Sequence, residues 1–249
     1  VYVTGRSVAG GQTTDGLPGT IDETAELVTQ RGGTGIALRC DHTVDDEVKE
    51  VFARVRQEQG QLDVLVNNVW GGYEHYESHA FDAPFWEQPL WRWHGMFVAG
   101  VRAHYTASHF AAPLMLAQGS GLIICISAGD QQKFLGNVLY DTAKSAVDRM
   151  VKGMAHELRP HGVAAIGVYP GFVRTERVLA YHAQHSFDLS NTESPEYVGR
   201  AVAALAADAE IMQRSGNIYK AGELARVYGF TDVDGRQVEP FVIPGEPLV

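Results

Sequence analysis

Basic clusters, long apolar runs and cysteine pairs are all scarce here, and each scarcity removes a class of protein. The 249 residues carry 20 lysines and arginines against 30 aspartates and glutamates, a net charge of -10. No basic run interrupts that excess, so a nucleic-acid surface is excluded as an expectation. No uninterrupted apolar stretch is long enough to cross a bilayer and no secretory signal pattern is visible, so a soluble cytoplasmic protein is expected. The two cysteines, Cys40 and Cys125, both fall in strand-like apolar runs. They are expected to be buried thiols, which fits a reducing compartment. The chain opens on Val1-Tyr2-Val3-Thr4, without methionine and already in a strand-like pattern.

What is present is an alternation. Strand-like segments at 1–5, 35–40, 62–66, 121–126, 163–169 and 216–220 alternate with helical patterns that begin near Thr20, Thr43, Trp91, Tyr140 and Pro195. Strands separated by helices of this length give a parallel sheet with right-handed crossovers. The expectation is one α/β domain over residues 1–249, with no repeat or second domain. Such sheets bind ligands beyond the carboxyl ends of their strands. Arg6, Asp41 and Asn67 all fall at such ends. Residues 176–192 are polar and pattern-poor, as a mobile lid over a substrate would be, and 216–249 read as a last strand and an irregular tail. Between Trp70 and Phe97 aromatics crowd (Trp70, Tyr73, Tyr76, Phe81, Phe85, Trp86, Trp91, Trp93). They read chiefly as packing around a long helix, and for some as an apolar substrate wall.

The stretch Ser127 to Lys144 carries the chemistry. Tyr140 and Lys144 are four apart, so a helix puts them on one face. An ammonium beside a phenol favours the phenolate and lowers its pKa, which suits proton exchange with an alcohol or carbonyl. Ser127, at the end of the 121–126 strand, offers a neutral hydroxyl to the same oxygen. Taken alone, a Y-x-x-x-K is more often a helix with an ordinary tyrosine and a solvated lysine. His75/His79 and His182/His185 have the spacing of helical metal ligands, but no cysteine or convergent carboxylate accompanies them, so no metal is expected.

Together these residues resemble the short-chain dehydrogenase/reductase family. Asn67-Asn68 with Gly71-Gly72 is similar to its N-N-x-G element, Ser127, Tyr140 and Lys144 to its serine and Y-x-x-x-K, and Pro170-Gly171 with Thr175 to its P-G-x-x-x-T turn. The tail from Leu224 to Arg236 resembles one branch, the member-one dehydrogenase/reductases. The resemblance implies a Rossmann-type doubly wound parallel sheet and an oxidoreductase that interconverts a carbonyl and an alcohol with a nicotinamide nucleotide. It implies Tyr140 as general acid, Ser127 as carbonyl polariser and Lys144 as holder of the nicotinamide ribose. Asp41 would meet adenine, Asn67 the adenosine ribose, and the Pro170-Gly171 turn with Val173 and Thr175 the carboxamide. A homodimer or homotetramer through helices 91–117 and 139–158 is implied as well.

Two departures qualify it. Thr4 to Gly11 lacks the T-G-x-x-x-G-x-G spacing, and a proline-containing loop follows, so no helix N-terminus is set for a pyrophosphate. Only three strands precede Asn67 where four belong. Val1–Gly5 is therefore read as the second strand of a 3-2-1-4-5-6-7 sheet, the first βα unit being absent from this sequence, as in a fragment or a gene with a misplaced start. Read so, Arg6 replaces the acid that would meet ribose hydroxyls, which favours NADP(H) over NAD(H). Phe97 stands where the family has a catalytic asparagine. These departures leave open an alternative, a catalytically silent sensor or scaffold.

Overall fold

The computed structural model describes residues 1–75, 78–130 and 133–243. Tyr76 and the tail beyond residue 243 lie outside them. Strand β1 (Tyr2–Gly5) pairs in parallel with β2 (Ile36–Arg39), Tyr2 opposite Ile36 and Gly5 opposite Arg39. Helix α1 (Ile21–Gln30) joins them. Thr20 closes its first turn by accepting from the Glu23 amide, while the Glu23 carboxylate accepts from the Thr20 amide. This reciprocal cap is why the helix starts where the sequence places it.

Helix α2 (Asp45–Gln59) leads to β3 (Val64–Asn67), and β3 begins a second sheet in the order β3-β4-β5-β8. Its other strands are β4 (Gly121–Ile126), β5 (Val163–Tyr169) and β8 (Ile218–Lys220), all parallel. Among the described residues no strand pairs with the inner edge of β1 or of β3. The expected order is thus observed with a break between β1 and β3, the place the expected order gives to its first strand. A shared helical layer holds the two sheets together. Leu38 and Cys40, from β2 and just past it, pack with Val48, Val51, Phe52 and Val55 of α2 and with Ala107, Ala111 and Leu114 of α3 (Ala103–Gln118). Leu65 of β3 joins the same cluster. Both cysteines are free and buried, and burial pushes the thiols up, Cys40 to about 11 and Cys125 to about 12.

Several elements differ from the expectation. The long helix from Trp91 is a turn followed by a π-helix over His94–Arg102, and only from Ala103 is it α-helical. The cause is visible at Gly71 and Gly95. A Cβ on Gly95 would fall 2.6 Å from the Gly71 carbonyl oxygen, so the loop after β3 presses on the helix start and the wider turns accommodate it. The segment 176–192 is no bare loop. Thr175 caps helix α5 (Glu176–His185), after which β7 (Thr192–Glu193) pairs with β6 (Phe172–Val173). Beyond β7 come α6 (Pro195–Ala206), the short α7 (Ile211–Arg214) and, within the tail read as irregular, α8 (Ala221–Tyr228), closed by Gly229 in the left-handed region.

Candidate active site

Ser127 follows β4 directly, its amide donating to the Val168 carbonyl of β5 at 2.9 Å. The sheet therefore delivers Ser127 to its carboxyl edge, buried, with the hydroxyl donating to the Lys144 carbonyl at 3.2 Å. Helix α4 (Val138–Leu158) brings the other two residues. Asn137 caps it, its side-chain oxygen accepting from the Tyr140 amide at 3.0 Å and its side-chain nitrogen donating to the Phe81 carbonyl at 2.6 Å. That pair of bonds ties the first turn of α4 to the aromatic loop.

Around Tyr140 the rings of Trp70, Phe81 and Tyr73 close in, the first two edge-on at centroid distances of 5.4 and 5.5 Å. The Tyr73 hydroxyl donates to the Tyr140 hydroxyl at 3.2 Å. The Lys144 ammonium lies 3.7 Å above the Trp70 ring and 5.6 Å from the Tyr140 ring. Burial pushes Lys144 down to about 7, against the nearby charge of Asp148. Burial likewise raises Tyr140 above its usual phenol value, partly offset by the bond from Tyr73. This corrects the expectation of a lowered Tyr140. The ammonium faces Trp70, and an apolar ring cage penalises the phenolate more than any facing charge relieves it.

Next to this trio, Asp148 sits one turn beyond Lys144 and accepts from the Tyr169 hydroxyl at the end of β5. Its other oxygen is buried without a hydrogen-bond partner. Burial raises Asp148, with the bond from Tyr169, the nearby Ser127 hydroxyl and the Lys144 charge opposing.

The other sequence-derived residues gather along the same edge. Arg6 pairs with Glu74, across the break between β1 and β3. Asp41 accepts from the Thr43 amide and hydroxyl at 2.9 and 2.7 Å, closing the turn into α2. Burial works to raise its pKa, but those bonds and the charges of Arg6 and Arg39 outweigh it. Asn67 is buried and donates to the Ser108 hydroxyl at 2.9 Å, a bond to α3 that fixes the turn after β3. After Pro170, the Gly171 amide donates to Glu193 at 2.8 Å, Val173 lies in β6, and the Thr175 hydroxyl accepts from the Val178 amide at 3.4 Å. Arg174 is held by the Thr192 carbonyl at 2.6 Å and by Asp232 at 2.9 Å. Phe97 stacks on Trp93, the ring centroids 4.0 Å apart.

Asp148 and Glu193 are site residues the sequence reading did not name, and Trp70 and Tyr73 were read only as members of the aromatic cluster. Asp148 had a signal, its place one turn beyond Lys144, and Trp70 had another, the glycines at 72 and 100 that make room for a large ring. An open cleft of ≈ 590 Å³ is lined by Glu74, His75, His79, Trp91 and His94 among others. It does not include Ser127, Tyr140 or Lys144, so the chemistry locates the site better than the size of the hollow. His75 and His79 meet the Trp91 ring, and His182 and His185 pack on Phe187 and Tyr181. Among the described residues no three histidines, cysteines or carboxylates gather as metal ligands.

A parallel sheet with a serine, a tyrosine and a lysine converging at its carboxyl edge defines a nicotinamide-type oxidoreductase fold, and comparison with known proteins agrees. The model for short chain dehydrogenase matches residues 12–185, and the chain belongs to that family. It is 36% identical over 260 residues to Dehydrogenase/reductase SDR family member 1 of Mus musculus, covering 100% of this chain and 80% of that protein. For the Homo sapiens protein of the same name the identity is 35% over 254 residues, with 97% and 78% covered. Among solved structures, a short chain dehydrogenase from Mycobacterium thermoresistibile superposes with a TM-score of 0.78 at 22% identity, covering 99% of this chain and 87% of that one. The chain is thus a short-chain dehydrogenase/reductase enzyme, and its family binds NAD(P)(H).

The residues fit one end of such a nucleotide. Ser127, Tyr140 and Lys144 and the Pro170-Gly171 turn offer polar groups of the kind a nicotinamide and its ribose need. No phosphate cradle is offered by the β1–α1 connection. Its Ala9 amide donates to Asp22 at 2.8 Å, and that carboxylate at the start of α1 repels an anion.

Proposed function

We propose that the protein reduces a carbonyl to an alcohol with NADP(H) as hydride donor. The observation that carries this reading is the placement of buried Ser127 and Lys144 and half-buried Tyr140 in one aromatic-walled corner at the sheet's carboxyl edge. The nicotinamide, when bound, supplies the hydride. The protein's own part is to hold the carbonyl oxygen and to give it a proton. Tyr140, raised above the ordinary phenol value, is protonated at neutral pH and acts as the acid, which suits the reductive direction. The Ser127 hydroxyl turns from the Lys144 carbonyl to the same oxygen and polarises it. Lys144 places a positive charge beside the forming phenolate and holds the ribose. The rings of Trp70, Tyr73 and Phe81 exclude water, which strengthens each of these interactions.

NADP(H) is favoured because β1 ends in Arg6, with Arg39 at the end of β2 beside it and no acid at the β1 end to accept ribose hydroxyls. Val173 and Thr175 at the β6 end would hold the carboxamide, with Asp41 and Asn67 along the adenosine. The α3 face, where Tyr105 and Leu116 are exposed, suits a homodimer or homotetramer. None of the described helices is long and apolar enough to cross a membrane.

Tyr140→Phe decides the assignment. Turnover of a panel of aldehydes and ketones, followed at the nicotinamide absorbance, should fall at least about a thousandfold while the fold survives. Activity near the parent level would refute it. Arg6→Ala should weaken NADP(H) binding about tenfold and leave NAD(H) nearly unchanged, read by nucleotide fluorescence titration.

A further inference from the structure

Lys144 is buried, and among the described residues it makes no ion pair, the Asp148 charge acting on it without direct contact. A buried ammonium without a counter-ion normally sheds its proton. What stands against it instead is the face of Trp70, with the ammonium 3.7 Å from the ring centroid. The ring is seated there by design of its neighbours. A Cβ on Gly72 would come within 2.5 Å of the indole, and one on Gly100, in the π-helix, within 2.7 Å. Only glycine at both places leaves room for the indole. Hydrogen bonding does not account for the seat, because the indole Nε1 is buried without a partner. An orphaned N–H costs free energy, so the contacts that hold Trp70 are its packing and its π face on the cation. The rings of Trp70 and Tyr140 also meet edge to face, which sets the phenol and the ammonium around one indole.

We propose that Trp70 is a positioning residue for Lys144: its π face serves as the counter-ion of the buried ammonium, keeping it charged and fixed beside Tyr140. The inference rests on the functional reading above for its consequence in catalysis, but the contact itself needs no nucleotide. Other groups face Lys144 as well. On its own helix are Tyr140, protonated near neutral pH, and Asp148, whose charge supports the ammonium. From α3 comes His104, which burial pushes down to about 4, so that it is neutral near pH 7 and leaves the ammonium unopposed. Tyr73 reaches the cluster only through Tyr140.

The test is a direct titration of Lys144 in the whole chain. Protein labelled with ¹³Cε-lysine is followed by NMR from pH 5 to 10, with the signal assigned by its loss in Lys144→Arg. Fluorotryptophans of increasing fluorine number are placed at position 70, since fluorine drains the π face and leaves the ring's shape almost unchanged. The Lys144 pKa should fall stepwise along the series, by about half to one unit in all. Trp70→Phe should lie within that range and Trp70→Leu at its end. A pKa that stays constant across the fluorinated series overturns the proposal, and because the ring is retained a folding defect cannot hide that result. The alkaline limb of kcat/KM should move down with the same steps. If Tyr140→Phe is inactive while the Lys144 titration never moves, only this inference fails. If the titration moves while Tyr140→Phe remains active, the contact stands and the catalytic reading fails.

Discussion

Glu193 shows how much one side chain can hold at the site's margin. It is 1% exposed, accepts from the Gly171 amide, and is pushed up to about 7, mainly by burial and also by Asp232. Its folded pKa lies above the unfolded value. Stability linked to it is therefore fully present below about pH 4.5 and is lost as the pH rises through about 7. Glu193→Gln keeps an acceptor for the Gly171 amide and removes that loss. The variant should melt higher than the parent at pH 8 and show no such advantage at pH 5, a difference of up to about 3 kcal/mol by paired thermal melts. His104 works in the opposite sense. Its folded value is depressed to about 4, so stability present above about pH 6.5 is lost as the pH falls toward 4. His104→Gln should flatten the acid side of the stability profile in the same melts, provided the bond to the Val69 carbonyl, 3.0 Å in the parent, is kept.

Elements are fixed by close approaches that a sequence only hints at. A Cβ on Gly35 would fall 1.9 Å from the Ala25 carbonyl oxygen, so α1 crosses the entry to β2 with backbone almost touching backbone. Gly35→Ala should cost about 3 kcal/mol, read by urea denaturation, because neither backbone can yield without moving the element. Short-range signals were legible. Thr20 with Glu23 marked α1, the apolar run 121–126 marked β4, and the four-residue step from Tyr140 marked the active face of α4. The π-helix was not legible, since it arises from Gly71 pressing on Gly95, a contact between loop and helix that no periodicity records. Helix α5 was missed because its Glu176–His185 pattern is too polar to stand out, and the two-residue strands β6 and β7 exist only through each other. In the site, the residue types were legible and their electrostatics were not. The sequence puts Lys144 beside Tyr140, but whether a cation faces a phenol or an indole depends on Trp70, which arrives from another strand's loop.

At the scale of the whole molecule the sheet is two sheets, β2-β1 and β3-β4-β5-β8, bound through α2 and α3. Strands β4 and β5 are buried almost throughout, whereas β1 is only half-buried and Val66 on β3 is exposed. Unpaired edges and partial burial mean lower opening free energies. Amides of residues 2–5 and 36–39 should exchange with deuterium at least about tenfold faster than those of 122–126 and 163–168, and uniform protection would contradict this picture. The loop after Ser127 depends on distant chain in another way. Asp130 accepts from Lys220 and from the Ile243 amide, each at 2.7 Å, and Lys133 donates to the Ile243 carbonyl. Those partners are 90 and 113 residues later than Asp130. A ribosome releases the chain from its N-terminal end, so β4 and α4 emerge long before residues 220 and 243 do. The catalytic loop therefore receives its last anchors only after residue 243 has been translated and has cleared the exit tunnel, well after β4 and α4.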